Sequence, residues 1–298
     1  ITPMLLLQPN SDEWQGRARR IAELMEEAWL GTNARGQRQF RSAYLSSSGT
    51  SDAAERACDT PYHARVTQPV LRLLQETNDP FARQRLGEWL ETWVDATERE
   101  EDGKPAAIIP AAIEFPTGSA GGPNAQWHEP GCHINPATFR FPRAYTLLTT
   151  TLAVYSALTG DERYLEPIVM AAQDSHLADK NAPTGTRAWA VDKIGNKWVT
   201  AASKYRQLTG DTRFDQQLRS LGSAYVKTRL SNDYTPVEGA LTRLVESLAA
   251  DRAAHTSEVR FTDRVFKFHR RYADEFRSEP TGGIDTTLIY NMVSGDWT

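Results

Sequence analysis

No run of apolar residues in this chain approaches the roughly 20 that a helix needs to cross a bilayer. The densest patch near the start, residues 4–7, is also too short for the core of a signal peptide. No membrane partner is therefore expected. Basic residues are not in excess either. There are 34 Lys and Arg against 38 Asp and Glu, a formal charge of −4, with the two signs mixed along the chain. That balance gives no electrostatic case for a nucleic-acid partner. Cysteine is scarce: Cys58 and Cys132 allow one disulfide or two buried thiols, and the pair does not fix a compartment. Strand-like alternation is weak throughout, so no convincing sheet is expected. What remains is a soluble-type composition, 40% hydrophobic and 24% charged over 298 residues, long enough for a sizeable core.

One local pattern stands out. Leu158-Thr159-Gly160-Asp161 is followed by Arg163 and Tyr164, and Leu208-Thr209-Gly210-Asp211 by Arg213 and Phe214. Weaker relatives stand at Thr77-Asn78-Asp79-Pro80-Phe81 and Ser294-Gly295-Asp296-Trp297. Gly suits the left-handed residue that ends a helix, and the following Asp caps the next one. Each pattern thus predicts a corner between two antiparallel helices, and its repetition predicts stacked helix hairpins.

Between the corners, residues 1–10 read as an extended arm. Asn10 and Glu13 have capping-box spacing, opening a helix to about Leu30 with Trp14, Ala18, Ile21, Met25 and Ala28 inward. Residues 31–60 read as a long loop with room for a short helix, Pro61 to about Gln75 as a helix, and Pro80 to about Glu100 as its partner, with Phe81, Leu86, Trp89, Leu90 and Trp93 inward. Helices are expected over 143–158 and 162–178, over 190–208 and 212–229, and over 236–254 and 257–277, about nine in all. Residues 102–143 carry too many Pro and Gly for a helix. Their load of Ile108, Ile109, Ile113, Phe115, Trp127, Phe139 and Phe141 predicts a packed loop. The chain stops where a corner would launch another helix. That leads to the expectation of an incomplete ring from a longer parent, the alternative being that Asp296 and Trp297 cap the last element.

Tandem hairpins with Leu-Thr-Gly-Asp-x-Arg-aromatic corners resemble the (α/α) toroids of carbohydrate-active enzymes, in particular polysaccharide lyases and unsaturated-glucuronide hydrolases. The resemblance covers roughly residues 60–298. It implies an all-α fold, tandem antiparallel hairpins in a complete or incomplete (α/α) toroid, with 102–143 as a long ordered loop lining the groove. It also implies a polysaccharide substrate. The corner motif marks architecture and carries no catalytic residue, so the site rests on chemistry.

The middle of the loop runs Asn124-Ala125-Gln126-Trp127-His128-Glu129-Pro130-Gly131-Cys132-His133-Ile134-Asn135, with Arg140, Arg143 and Tyr145 after it. This inventory suits β-elimination on a uronic acid polymer. A base removes the proton beside the carboxylate, a task for His128 or His133. Arg143 and Arg140, with Asn124 and Asn135, neutralise and hold the sugar carboxylate. Tyr145 protonates the leaving oxygen, and Trp127 offers a flat face to a ring. A second patch, from Arg187 to Trp198, adds Trp189 for stacking and Lys193 for a carboxylate. Tyr62 and His63 also lie at an element end. The ordinary alternative is that these residues cap helices and satisfy loop carbonyls.

Hydrolysis instead needs two carboxylates across the bond. Glu129 would have to recruit Glu114 or Asp192, so the inventory favours a lyase over a glycoside hydrolase. A non-catalytic helical-repeat binding module is the third reading. No cofactor is required; the alternative is a divalent metal held by His128, Glu129, Cys132 and His133, whose spacing matches no zinc signature. The expected partner is an acidic polysaccharide, and this substrate class implies a secreted or periplasmic location.

Overall fold

The computed structural model describes residues 1–132 and 140–220. The expected helices over 236–254 and 257–277, and the corner at 294–297, lie outside the described residues. The chain divides into two compact units, residues 1–202 and 203–298.

The first unit is mostly helical. Helix α1 (Thr2–Leu7) occupies what the sequence suggested as an extended arm, helped by a proline in its first turn. Helix α2 (Asp12–Leu24) begins after Ser11 without a side-chain cap, so the Asn10–Glu13 box does not form. Asp12 and Glu13 instead place negative charge on its first turn. The helix ends in one π turn, Met25–Trp29, which buries Met25 and Trp29. Helices α3 (Gln68–Thr77) and α4 (Pro80–Glu98) form the first full hairpin and pack with α2. Val70, Leu71, Leu73 and Leu74 of α3 face Leu86, Trp89, Leu90 and Trp93 of α4, spaced three and four residues apart. Helix α5 (Tyr145–Thr159) packs on α3, and α6 (Glu166–Asp174) packs on α4. Helix α7 (Arg187–Ile194) is followed by α8 (Trp198–Thr209). In the second unit, α9 (Asp215–Ser220) follows the second corner.

The corners form as their residues dictate. Asn78 sits at φ 54° and Gly160 at φ 75°, both left-handed, and Gly210 at φ 78°. The carboxylate of Asp79 accepts from the Ala82 amide at 2.8 Å, Asp161 from Arg163 at 3.0 Å and Asp211 from Arg213 at 2.8 Å. Even secondary details repeat: Thr159 and Thr209 each bond back to the carbonyl four residues earlier, at 2.9 Å.

Further expectations require correction. Residues 31–60 are not a plain loop: they hold β1 (Leu30–Thr32) paired with β2 (Arg38–Phe40), and β3 (Leu45–Ser46) paired with β4 (Gly49–Thr50). Also, β5 (Cys58–Asp59) pairs antiparallel with β6 (Ile113–Glu114) in the long loop. Strands of two or three residues are too short to display a period of two, which is why the sequence suggested no sheet. The segment from Pro61 is a 3-10 turn, Pro61–Arg65, and α3 starts only at Gln68. Two other expected single helices are interrupted as well. The stretch after Asp161 has 3-10 turns on either side of α6, and α7 stops at Gly195, at φ 50° and ψ −129°.

Candidate functional site

The long loop is packed, as its apolar load suggested. Ile108, Ile109, Ile113 and Trp127 are each at most 2% exposed. Its two runs close on each other: the Ala111 amide donates to the Trp127 carbonyl, and the Gly121 amide to Ala112, both at 2.8 Å. A side chain at Gly122 would collide with the Pro130 carbonyl, so only glycine fits that closure. Cys58 and Cys132 form a disulfide that ties the loop to β5.

This closure places Trp127 and His128 against residues that the sequence left in a separate patch. Trp127 meets Phe141 edge-on at 5.2 Å and Trp189 at 6.1 Å between ring centres. His128 lies 5.2 Å from Trp189, and Phe141 stacks on Trp189 at 5.6 Å. Trp189 is positioned by the start of α7, where the Thr186 hydroxyl accepts from the Trp189 amide. Trp127 is buried, while His128 and Trp189 are half-buried and keep part of each ring accessible. His128 Nε2 is 2.9 Å from Gln126 Oε1. With that nitrogen protonated toward the amide oxygen, Nδ1 is left as the basic lone pair.

Arg140 and Arg143 flank Phe141 in sequence and are exposed. Most described arginines are paired with carboxylates, yet neither of these two has an ion-pair partner among the described residues. Asn124 is exposed at φ 56°. Tyr145 is buried at 3% exposure, and burial holds its phenol proton far beyond its ordinary range. Lys193 is exposed, with Nζ 2.9 Å from Asp192 Oδ2. Glu129 is exposed. Glu114 Oε2 accepts from the Thr117 hydroxyl at 2.6 Å. His133 and Asn135 lie outside the described residues.

The metal alternative needs correcting at one ligand. Cys132 is in the disulfide, so its sulfur has no thiolate to offer. Among the described residues no cluster of three His, Cys, Asp or Glu could hold a metal ion.

Two features went unrecognised in the sequence. The first is a cavity of about 600 Å3 walled by residues 100–106 and 185–187. Its floor is a tight turn in which Asp102 and Gly103 are both left-handed, at φ 51° and 77°. Lys104 closes the turn with its side chain turned inward, fully buried. Its Nζ donates to the carbonyls of Thr97 at 3.1 Å, Pro105 at 2.8 Å and Ile108 at 2.9 Å. Burial lowers the Lys104 ammonium from 10.5 to about 8. Between those values the unfolded chain binds more protons than the folded one, so stability rises with pH there. Urea unfolding at several pH values should therefore show a positive contribution from about pH 8 to 10.5 that Lys104→Met removes. A slope that persists in this variant would assign it elsewhere.

The second is a buried network around Asp59. Its Oδ1 lies 2.7 Å from His63 Nδ1, and its Oδ2 accepts from Trp89 Nε1 at 2.8 Å and from the Phe40 amide at 3.1 Å. His63 is 5% exposed and its Nε2 has no partner among the described residues, so this histidine stands in the core and away from solvent. The sequence signal was present, an Asp four residues before a His in Asp59-Thr60-Pro61-Tyr62-His63, but it reads equally as a capping box.

Comparison with protein-family models, with curated proteins and with solved structures finds no match to this chain.

Proposed function

We propose that the protein is a carbohydrate-active enzyme, a polysaccharide lyase that cleaves a uronic-acid-containing glycan by β-elimination. The observation that carries this reading is the aromatic cluster of Trp127, Phe141 and Trp189 around His128, with Arg140 and Arg143, which have no ion-pair partner among the described residues, on either side of Phe141 in sequence. Trp189 offers a partly open ring to a sugar face. Arg140 and Arg143 neutralise the uronate carboxylate as charge builds up beside it. His128 takes the proton next to that carboxylate, and the imidazolium so formed is the proton source for the leaving oxygen. Tyr145, buried at the start of α5, serves here as packing for the cluster's helix. The three corners support tandem hairpins of a toroid kind, and the disulfide fits a secreted or periplasmic location.

A second reading, a glycoside hydrolase, draws on a different observation: the carboxylates of Glu100, Glu101 and Asp102 on the neighbouring cavity. The two readings predict different variants to be silent. His128→Ala should cost the lyase about a hundredfold or more in turnover with unfolding unchanged. A hydrolase using the cavity carboxylates would tolerate it, and a binding module would show no turnover in either form. Turnover of a uronate polysaccharide, followed by chain cleavage in wild type and variant, separates them.

A further inference from the structure

Trp127 cannot offer a glycan the flat face that the sequence suggested. It is 2% exposed, and His128, Phe141 and Trp189 stand against its ring at 5.3, 5.2 and 6.1 Å, each nearer to a right angle than to stacking. Only its edge is left to act. Buried indole N–H groups usually find a partner. In this chain Trp29 Nε1 donates to the Ser46 carbonyl at 2.7 Å and Trp89 Nε1 to Asp59 at 2.8 Å. Trp127 Nε1 has no acceptor among the described residues. Trp93 Nε1 has none either, but it is sealed in the core.

The Trp127 edge instead faces a gap made by Gly185. The turn Pro183-Thr184-Gly185-Thr186 is closed by the Thr186 amide on the Pro183 carbonyl at 3.2 Å. Gly185 is at φ 87°, as the third residue of a type II turn requires. A Cβ on Gly185 would stand 3.5 Å from His128 Cδ2, 3.6 Å from His128 Nε2 and 3.7 Å from Trp127 Nε1, with nothing nearer beyond the turn itself. Two ring nitrogens thus converge on one unfilled point. An oxygen entering there needs only a small shift to reach hydrogen-bond distance of the indole, about 3 Å. His128 Nε2 is already engaged with Gln126, so the indole supplies the donor. Gly185 also borders the cavity walled by Glu100, Glu101 and Asp102, which favours a neutral acceptor over a carboxylate. On a sugar that acceptor is a hydroxyl oxygen.

We propose that Trp127 Nε1 and the bare backbone of Gly185 form a hydroxyl-binding notch of the glycan site, with Gly185 as the specificity-determining residue that keeps it open. This rests on the reading of the aromatic cluster as a glycan platform. A sugar lying on Trp189 places one hydroxyl in the notch, where its oxygen accepts from the indole.

The test is nuclear magnetic resonance of the full chain with isotope-labelled tryptophan, titrated with an oligouronate. Trp127→Phe identifies the Trp127 indole signal by its disappearance. In wild type that proton should move downfield as the oligouronate saturates, and Trp127→Phe should bind about tenfold more weakly. Phenylalanine also leaves buried volume empty, so a second variant acts from the other side. Gly185→Asn suits the positive φ of the turn and keeps Trp127, but puts its own side chain in the notch. It should lose binding to the same degree, and the two losses should not add. Urea unfolding checks that both variants fold. An unmoved Trp127 indole at saturation, or full affinity in Gly185→Asn, would overturn the proposal while the platform stands. No binding of the oligouronate by wild type would overturn the platform and the notch with it, so the two failures are distinguishable.

Discussion

Replacing Asp59 with alanine is expected to lower the unfolding free energy by about 3–5 kcal/mol. The carboxylate is fully buried and gathers three partners from three parts of the chain: the His63 ring, the Trp89 indole of α4 and the Phe40 amide of β2. His63 Nδ1 lies between Asp59 Oδ1 at 2.7 Å and the Thr60 amide, which donates to it at 3.2 Å. The His63 ring is held by its contact with Phe40 at 4.3 Å, and Trp89 meets Phe40 edge-on at 5.5 Å. Removing the carboxylate takes a buried partner from each of these three groups. Asp59→Asn should fall between, because one amide end repels a donor while the other still accepts. Trp89→Phe, which removes one donor and part of a buried ring, should cost less than Asp59→Ala. Urea unfolding monitored by tryptophan fluorescence checks the order. A loss for Asp59→Ala below about 1 kcal/mol, typical of exposed charges, would mean that the network contributes little.

The second large effect belongs to the disulfide. Cys58 and Cys132 are 74 residues apart in sequence, and closing so long a loop restricts the unfolded chain strongly. A Cys58→Ala, Cys132→Ala double variant should lose about 4 kcal/mol of stability. Both residues are buried beside Ala112, and alanine fits there without burying a polar atom. The same variant should lose activity beyond its loss of stability, because the bridge holds the run from Gly121 to Cys132 that carries Trp127 and His128. Unfolding and turnover measured together, with and without a reductant on the wild type, test both parts. Unchanged stability after reduction would show that the hydrogen bonds of the loop suffice without the bridge.

The helical character and the corners were legible because their determinants are local. A Gly or Asn that accepts positive φ, followed by an Asp that caps, acts over four residues, and Asn78–Asp79, Gly160–Asp161 and Gly210–Asp211 all do so. The buried stripe of α4 was equally plain from Leu86, Trp89, Leu90 and Trp93. The strands were not, since β3, β4, β5 and β6 are two residues each and owe their pairing to partners elsewhere in the fold. The break at Gly195 shows the limit of periodicity, which runs through a glycine that the backbone does not. For the site, Trp127, His128 and Trp189 were singled out one by one. Their meeting is a tertiary fact, set by the Gly122–Pro130 closure and by the start of α7. The cavity was missed because its walls, residues 100–106 and 185–187, are far apart in sequence, and because the inward aim of Lys104 leaves no mark in the sequence.

Elimination at the aromatic cluster is checked by ultraviolet absorbance during incubation with a panel of uronate polysaccharides. Elimination leaves an unsaturated uronate at each new chain end, so a steady rise is expected with wild type and its near-loss in His128→Ala. New reducing ends without any rise in absorbance would contradict it and move the chemistry to the carboxylates of the neighbouring cavity.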